Sequence, residues 1–339
     1  STKKDRAPRD VWRTWLRAVG LGSGLVVAAL LLWSSLGAED GVTEVLARRG
    51  EVLVGRFIEV PCSEDYDSHR RYEGCTPRRC GRGVTDTVIT REDAERIRSI
   101  AEKGLSLGGS DGGASILDLH SGALSVGKHF VNLYRYFGDK IQNIFSEEDF
   151  QLYREVRQKV QLTVANAFGI SPSSLHLTKP TFFSRINSTE AQTAHDEYWH
   201  AHVDKVTYGS FDYTSLLYLS DYLQDFGGGR FVFVEAGANK TVEPRAAAAA
   251  SDERLAAVHV LSLTRTSFCK VFSDVTSIGR LSFFTSGSEN LHRVEEVRWG
   301  TRYAMTIAFT CNPDHGITDP AFWEPGPRSA PGGPGPRPS

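Results

Sequence analysis

Apolar residues recur at helical spacing in two stretches of this chain and at the shorter spacing of strands further on. Thr90-Arg91-Glu92-Asp93 has the form of a helix start, a capping threonine with an acid three residues later. Ala94, Ile97, Ala101 and Leu105 then fall on one face, until the glycines of 104–113 break the pattern. A longer helix is predicted over 147–168, where Phe150, Tyr153, Val156, Val160 and Val164 form one stripe that ends at Gly169 and Pro172. The stripe reads as packing against a β-core. Runs rich in β-branched and aromatic residues predict strands at 175–185, 203–207, 213–219, 230–234, 281–285, 292–297 and 302–310. Two helices and a series of short strands suit an α+β domain built as a sandwich or jelly roll with flanking helices.

A different hydrophobic pattern opens the chain. Lys3, Lys4, Arg6, Arg9, Arg13 and Arg17 precede an uncharged stretch at 18–38, and Glu39, Asp40 and Glu44 follow it. About 20 helical residues cross the hydrocarbon core, so 18–38 predicts a signal-anchor transmembrane helix. Its basic flank predicts a cytoplasmic tail at 1–17, incomplete because Ser1 is not a natural start, and a lumenal body. A cleaved signal peptide is the rival reading; the apolar run is long for a signal core, and Leu36 stands where a small residue is preferred. Gly20 and Gly24 are spaced to bring two such helices together as a homodimer. Residues 39–84 mix charges, glycines and three cysteines and read as a stem without a core of its own.

Charge and cysteine usage narrow the function classes. With 39 basic against 41 acidic residues in 339, the formal charge is -2, and the body has no clustered basic face for nucleic acid. Asn187-Ser188-Thr189 and Asn239-Lys240-Thr241 are N-glycosylation acceptors between predicted strands, as a lumenal domain would allow. Cys62, Cys75 and Cys80 cluster, with Cys269 and Cys311 elsewhere, and an oxidising compartment favours pairing within the cluster. A zinc site of Cys62, Cys75, Cys80 and His69 is the alternative, although the spacing fits no strong zinc pattern.

The chemistry concentrates in His200-Ala-His-Val-Asp204 and downstream of it: His202, then Asp204 two residues on, and far downstream His292 with Arg302 ten residues after it. If 203–207 is extended, His202 and Asp204 share a face. Two imidazoles and one carboxylate on one face of a metal form the ligand set of non-haem Fe(II) oxygenases. The even offset from His292 to Arg302 lets both point inward on a regular strand or hairpin, the guanidinium suiting the far carboxylate of an organic acid. His195-Asp196-Glu197 and the pair His200 and His202 are competing registers. The one with His202 and Asp204 leaves the next strand where it is expected, with His195 and His200 on the surface or just behind the ligands. Gly227 to Gly229 read as a hairpin turn.

In His202-Val203-Asp204, Thr214 to Leu219, Gly227 to Phe231, Leu281 to Phe284 and Asn290 to Arg302, taken in that order, the sequence resembles the Fe(II) and 2-oxoglutarate dioxygenases of the prolyl 4-hydroxylase-like branch. The resemblance covers roughly 178–311. It implies a double-stranded β-helix at 85–312, Fe(II) held by His202, Asp204 and His292, and 2-oxoglutarate anchored by Arg302. Tyr198, Tyr213 and Tyr218 lie near enough in sequence for one phenol to touch that cosubstrate, with a place in the core or rim as the alternative for each, and Tyr213 and Tyr218 are the candidates carried forward. It also implies O2 as co-reactant, L-ascorbate as reductant, and a protein or peptide side chain of prolyl or lysyl type as substrate. With the anchor, the expectation is a type II membrane enzyme of the endoplasmic reticulum or Golgi acting on a secretory-pathway protein. A scaffold that keeps the motif without turnover is the rival, and so is metal-assisted hydrolysis, for which Arg302 would have no use.

One segment departs from that pattern. The 88-residue offset from Asp204 to His292 falls to 56 without the 32 residues 247–278, so these read as an insertion. They are either a surface excursion, which costs little closure entropy, or translated non-coding sequence. The proline- and glycine-rich end is expected to be disordered within 313–339.

Overall fold

The structure is a computed structural model that describes residues 43–67, 71–194, 196–246 and 279–323. The expected membrane span at 18–38, the insertion 247–278, His69, His195, Cys269 and the tail beyond 323 lie outside the described residues. Among the described residues no helix is long and apolar enough to cross a membrane.

Both long helices form where the pattern puts them. In α1 (Arg91–Leu105) the Thr90 hydroxyl accepts from the Asp93 amide, and Ile97, Ile100, Ala101 and Leu105 are buried. The helix α2 (Leu133–Phe137) is short. In α3 (Glu147–Phe168) Ser146 and Asp149 close a reciprocal capping box, and Gly169 ends the helix at φ 68°, a left-handed conformation that glycine adopts without steric cost. The fourth, α4 (Asp204–Tyr208), replaces the strand expected at 203–207.

The strands are β1 (Thr43–Ala47), β2 (Arg56–Val60), β3 (Cys80–Thr85), β4 (Gly109–Ser110) and β5 (Ala114–Asp118). After these come β6 (Ala123–Gly127), β7 (His129–Asn132), β8 (His176–Asn187), β9 (Tyr213–Tyr218) and β10 (Phe226–Gly228). The last are β11 (Phe231–Phe233), β12 (Asn239–Val242), β13 (Leu281–Thr285), β14 (His292–Val294) and β15 (Val297–Thr310). They make a four-stranded sheet, β1-β12-β11-β14, and an eleven-stranded sheet, β2-β3-β13-β9-β15-β8-β5-β6-β4, with β10 on β15 and β7 on β6.

Strand parity sorts the core into two layers. From β9, β13 and β15 the side chains of Tyr213, Leu217, Leu281, Phe283, Met305, Ile307 and Phe309 pack against α1 and α3. The alternate residues Leu216, Tyr218, Phe284 and Ala304 face Phe231, Phe233 and Val242 of the smaller sheet. Helices therefore cover one face of the large sheet while the other encloses an inter-sheet space. This is the mixed, sheet-rich architecture expected from the pattern.

The boundary at 85 is corrected. Of the expected stem 39–84, the described residues 43–67 and 71–84 do not stand apart: β1 pairs into the small sheet, and β2 and β3 extend the large one, β3 lying against β13. At Gly83 a Cβ would come within 2.3 Å of the Phe283 ring, so the glycine is what lets that ring cross the strand. Cysteine pairing also differs from a contained cluster. Cys62 bonds Cys80, but Cys75 bonds Cys311 at the end of β15, which leaves these four thiols unavailable for zinc. Residues 313–323 belong to the folded body too. Trp323 is buried against Phe150, and Asp319 pairs with Arg154 and Arg157 of α3.

The flanks of the unassigned segment meet. The Arg280 amide donates to the Arg245 carbonyl at 3.0 Å. The fully buried Arg280 guanidinium pairs with Asp86 at 2.8 Å and donates to the carbonyls of Arg48, Glu51 and Glu243. The described chain on either side, at Arg245 and Arg280, is thus joined at one place.

Candidate metal centre

The two histidines are brought together by backbone. His202 and His292 form an isolated antiparallel bridge, each amide donating to the other's carbonyl at 2.9 and 3.1 Å, and the ring centroids stand 4.4 Å apart. Val203 is extended, and the chain then turns into α4, which swings the Asp204 carboxylate round to the same point. The strand alternation expected for His202 and Asp204 is therefore not what joins them. Tertiary contacts override the β-branched run: the Lys205 amide donates to the Ser286 carbonyl, and its buried ammonium pairs with Asp212 at 2.8 Å. Nor do His292 and Arg302 share a strand, since one lies on β14 in the small sheet and the other on β15 in the large.

One ligand atom from each of His202, Asp204 and His292 lies within 4.8 Å of the others, and among the described residues this is the group that could hold a metal ion. Asp204 Oδ1 stands 3.5 Å from His202 Nε2 and 3.6 Å from His292 Nε2. The opposite ring nitrogens are already committed: His202 Nδ1 lies 3.0 Å from the His200 carbonyl and His292 Nδ1 2.8 Å from that of Asn290. A carbonyl cannot donate, so each Nδ1 carries the proton and each Nε2 offers its lone pair inward. The donor set fits a small divalent cation.

Electrostatics favour ligation at Asp204 and His292. Burial would raise the Asp204 carboxyl, but His292, the neighbouring His202 and the hydrogen bond from Thr214 hold it below the usual carboxylate range. It stays ionised. Burial lowers His292 despite the neighbouring carboxylate, which keeps that imidazole neutral and able to ligate. His202 is shifted upwards, because Asp204 and the His200 carbonyl outweigh its desolvation.

These side chains open on a cavity of about 220 Å³, which Arg302 also lines. Arg302 is 1% exposed. Nε donates to the Gly229 carbonyl at 2.9 Å, and Nη2 is buried with no hydrogen-bond partner among the described residues. A buried cationic donor left open in a cavity suits an anionic ligand group. Burial pulls the Arg302 pKa down from its ordinary value, with the Tyr218 ring beneath it at 5.7 Å.

Gly227 to Gly229 do more than turn. Gly227 and Gly228 pair with β15, and Gly229 has φ +64° with space for a Cβ denied by Val297 and Phe226 at 2.9 and 3.0 Å. Its carbonyl is thereby aimed at Arg302. The glycine run was visible in the sequence, but this role depends on where β15 runs. Thr214, which bonds Asp204, carried no signal beyond its place in the strand pattern, and Ser286, which bonds Thr214, carried none.

The tyrosines divide. Tyr213 is corrected: it faces the helices, donates to the Cys75 carbonyl at 2.7 Å and does not line the cavity. Tyr218 has the inward parity but bonds Ser282 at 3.0 Å and lies beneath Arg302, outside the cavity wall. Tyr198 does line it, its hydroxyl accepting from the Val297 amide at 2.8 Å. His200 pairs with Glu197 at 2.7 Å on the surface. Asn187 ends β8 and Asn239 starts β12, both partly exposed.

Curated relatives match almost throughout. The human 2-oxoglutarate and iron-dependent oxygenase domain-containing protein 3 is 79% identical over 326 residues, covering 95% of this chain and 92% of that protein. The chain belongs to the 2-oxoglutarate- and iron-dependent oxygenases. The protein of the same name from Xenopus tropicalis is 61% identical over 322 residues, covering 94% of this chain and 91% of that one. No family model matches. A Trichoplax adhaerens prolyl hydroxylase in complex with a hypoxia inducible factor peptide superposes with a TM-score of 0.38 at 12% identity, covering 67% of this chain and 82% of that one. As a 2-oxoglutarate- and iron-dependent oxygenase the chain is an oxidoreductase, with its His–Asp–His group in the inter-sheet cavity.

Proposed function

We propose that this oxygenase is a dioxygenase on a double-stranded β-helix core, anchored in the membrane by residues 18–38, that hydroxylates a neutral side chain of a secretory-pathway protein or peptide. The observation that carries the reading is the convergence of His202, Asp204 and His292 beside the unpaired Nη2 of Arg302 in one cavity. His202 Nε2, His292 Nε2 and Asp204 Oδ1 would hold Fe(II), and Arg302 would bind the distal carboxylate of 2-oxoglutarate. When bound, iron lets 2-oxoglutarate and O2 react with a C–H bond to give the alcohol, succinate and CO2. L-ascorbate keeps the metal reduced.

The chain's own groups set what can enter. Arg302 orients an anion at the floor, while Phe231, Phe284 and Leu216 exclude water around the donors. The wall offers a lysyl ammonium no carboxylate apart from Asp204 and confronts it with Arg302. An unpaired charge there is costly, which favours a prolyl-type over a lysyl-type substrate. The disulfides Cys62–Cys80 and Cys75–Cys311 and the sequons at Asn187 and Asn239 support a lumenal site in the endoplasmic reticulum or Golgi.

The test is succinate release by the purified full chain supplied with Fe(II), 2-oxoglutarate, O2, ascorbate and synthetic peptides. Prolyl peptides should raise the rate and leave a hydroxylated product, while matched lysyl peptides should not. Stimulation by lysyl peptides alone would overturn the neutral-substrate reading.

A further inference from the structure

We propose that Thr214 and Ser286 are positioning residues that fix which oxygen of Asp204 faces the metal, an inference that rests on the metal-site reading above. Thr214 Oγ1 lies 2.6 Å from Asp204 Oδ2 and 2.9 Å from Ser286 Oγ. All three residues are buried, at 4%, 3% and 1% exposure for Thr214, Asp204 and Ser286. The Thr214 hydroxyl donates to Oδ2. The Thr214 oxygen is then free to accept from Ser286, and the chain runs Ser286 to Thr214 to Asp204, each bond polarising the next.

Both hydroxyls stand on rigid backbone. Thr214 is paired on β9 between Phe284 of β13 and Ala308 of β15. Ser286 donates its amide to the Asp212 carbonyl at 3.0 Å and accepts the Lys205 amide at 2.9 Å, which also pins the first turn of α4. Asp212 and Lys205 are themselves an ion pair. Oδ2 is thus engaged by Thr214, and Oδ1 is the carboxylate oxygen nearest the histidine Nε2 atoms, at 3.5 and 3.6 Å. A carboxylate that offers one oxygen leaves a coordination position that a turning carboxylate would fill.

Co(II), whose d–d absorption reports coordination number, is the probe for the metal-free full chain. Thr214→Val should bind Co(II) about tenfold more weakly, the scale on which groups behind metal ligands act. Its absorption should change in intensity, because both carboxylate oxygens can then turn to the ion. Thr214→Ser should restore affinity and spectrum, and Ser286→Ala should shift both in the same direction by less. A Thr214→Val protein that melts like the parent and binds Co(II) with unchanged affinity and spectrum overturns the proposal. Should Thr214→Val not fold, an unchanged Ser286→Ala spectrum and affinity overturns it equally. Failure of the parent protein to bind Co(II) would instead overturn the metal-site reading.

Discussion

Arg302 and the three donors are separable by what each holds. Truncating Arg302 removes a charge-assisted hydrogen bond and no donor, so Arg302→Ala should bind Fe(II) like the parent and lose 2-oxoglutarate affinity by about tenfold to a hundredfold, or about 1.5–3 kcal/mol. His202→Ala and Asp204→Ala leave two donors for an ion that also needs open positions, and both should lose Fe(II) altogether. Titrating 2-oxoglutarate into anaerobic Fe(II) protein and following the metal-to-ligand charge-transfer band reads both quantities. An Arg302→Ala variant with undiminished 2-oxoglutarate affinity would sink its role as anchor. Tyr213→Phe gives an internal contrast, since that hydroxyl bonds Cys75 on the far face and should leave the titration unchanged.

Two elements carry predictions of their own. The ends of residues 247–278 are already joined through the Arg280 amide and Arg245 carbonyl and locked by the Arg280–Asp86 pair. Deleting 247–278 should therefore leave the melting temperature and Fe(II) affinity equal or improved, and a marked fall in either would show the segment to be part of the core. At the other end, residues 313–323 are pinned to α3 by Asp319, which contacts Arg154, Arg157 and His120. Burial would raise this carboxyl, but those hydrogen bonds and the arginine charges hold it far below its ordinary value of 3.8. A carboxylate depressed on folding stabilises above its unfolded pKa and ceases to do so as pH falls through the folded one. Asp319→Asn should thus melt below the parent at pH 7, with the gap narrowing progressively below about pH 4. A gap independent of pH in thermal melts would show that packing of Trp323, and not the charge, holds the segment.

For the whole molecule the basic flank at 3–17 and the apolar run at 18–38 set the expected orientation. Expressed in mammalian cells, the chain should carry glycan at Asn187 or Asn239 and shift mobility on endoglycosidase treatment. Its body should resist protease added outside sealed microsomes. No mobility shift together with cleavage from the cytosolic side would reverse the topology and place the enzyme among a different set of substrates.

The sequence by itself determined the local elements and the chemistry. Caps and stripes bounded α1 and α3 because those signals lie within a few residues of the helix they start or stop, and parity marked β9, β13 and much of β8 and β15. The residue types His202, Asp204, His292 and Arg302, in that order, were enough to name the chemistry. Only the tertiary structure decided how they meet. His202 faces His292 across 90 positions of sequence through a backbone bridge, and Asp204 arrives by a helical turn held by Ser286 and Asp212, not by strand alternation. The strands β1 and β3 within the polar run joined the core for the same reason: they are stabilised by β12 and β13, roughly 200 residues away, and nothing in their own composition announces those partners. On one strand Tyr213 and Tyr218, five apart, face opposite ways, and which face meets the metal was settled by where α1 and α3 pack. Local propensity reaches one turn or one strand, and a site assembled from two sheets is fixed by contacts the chain makes only when folded.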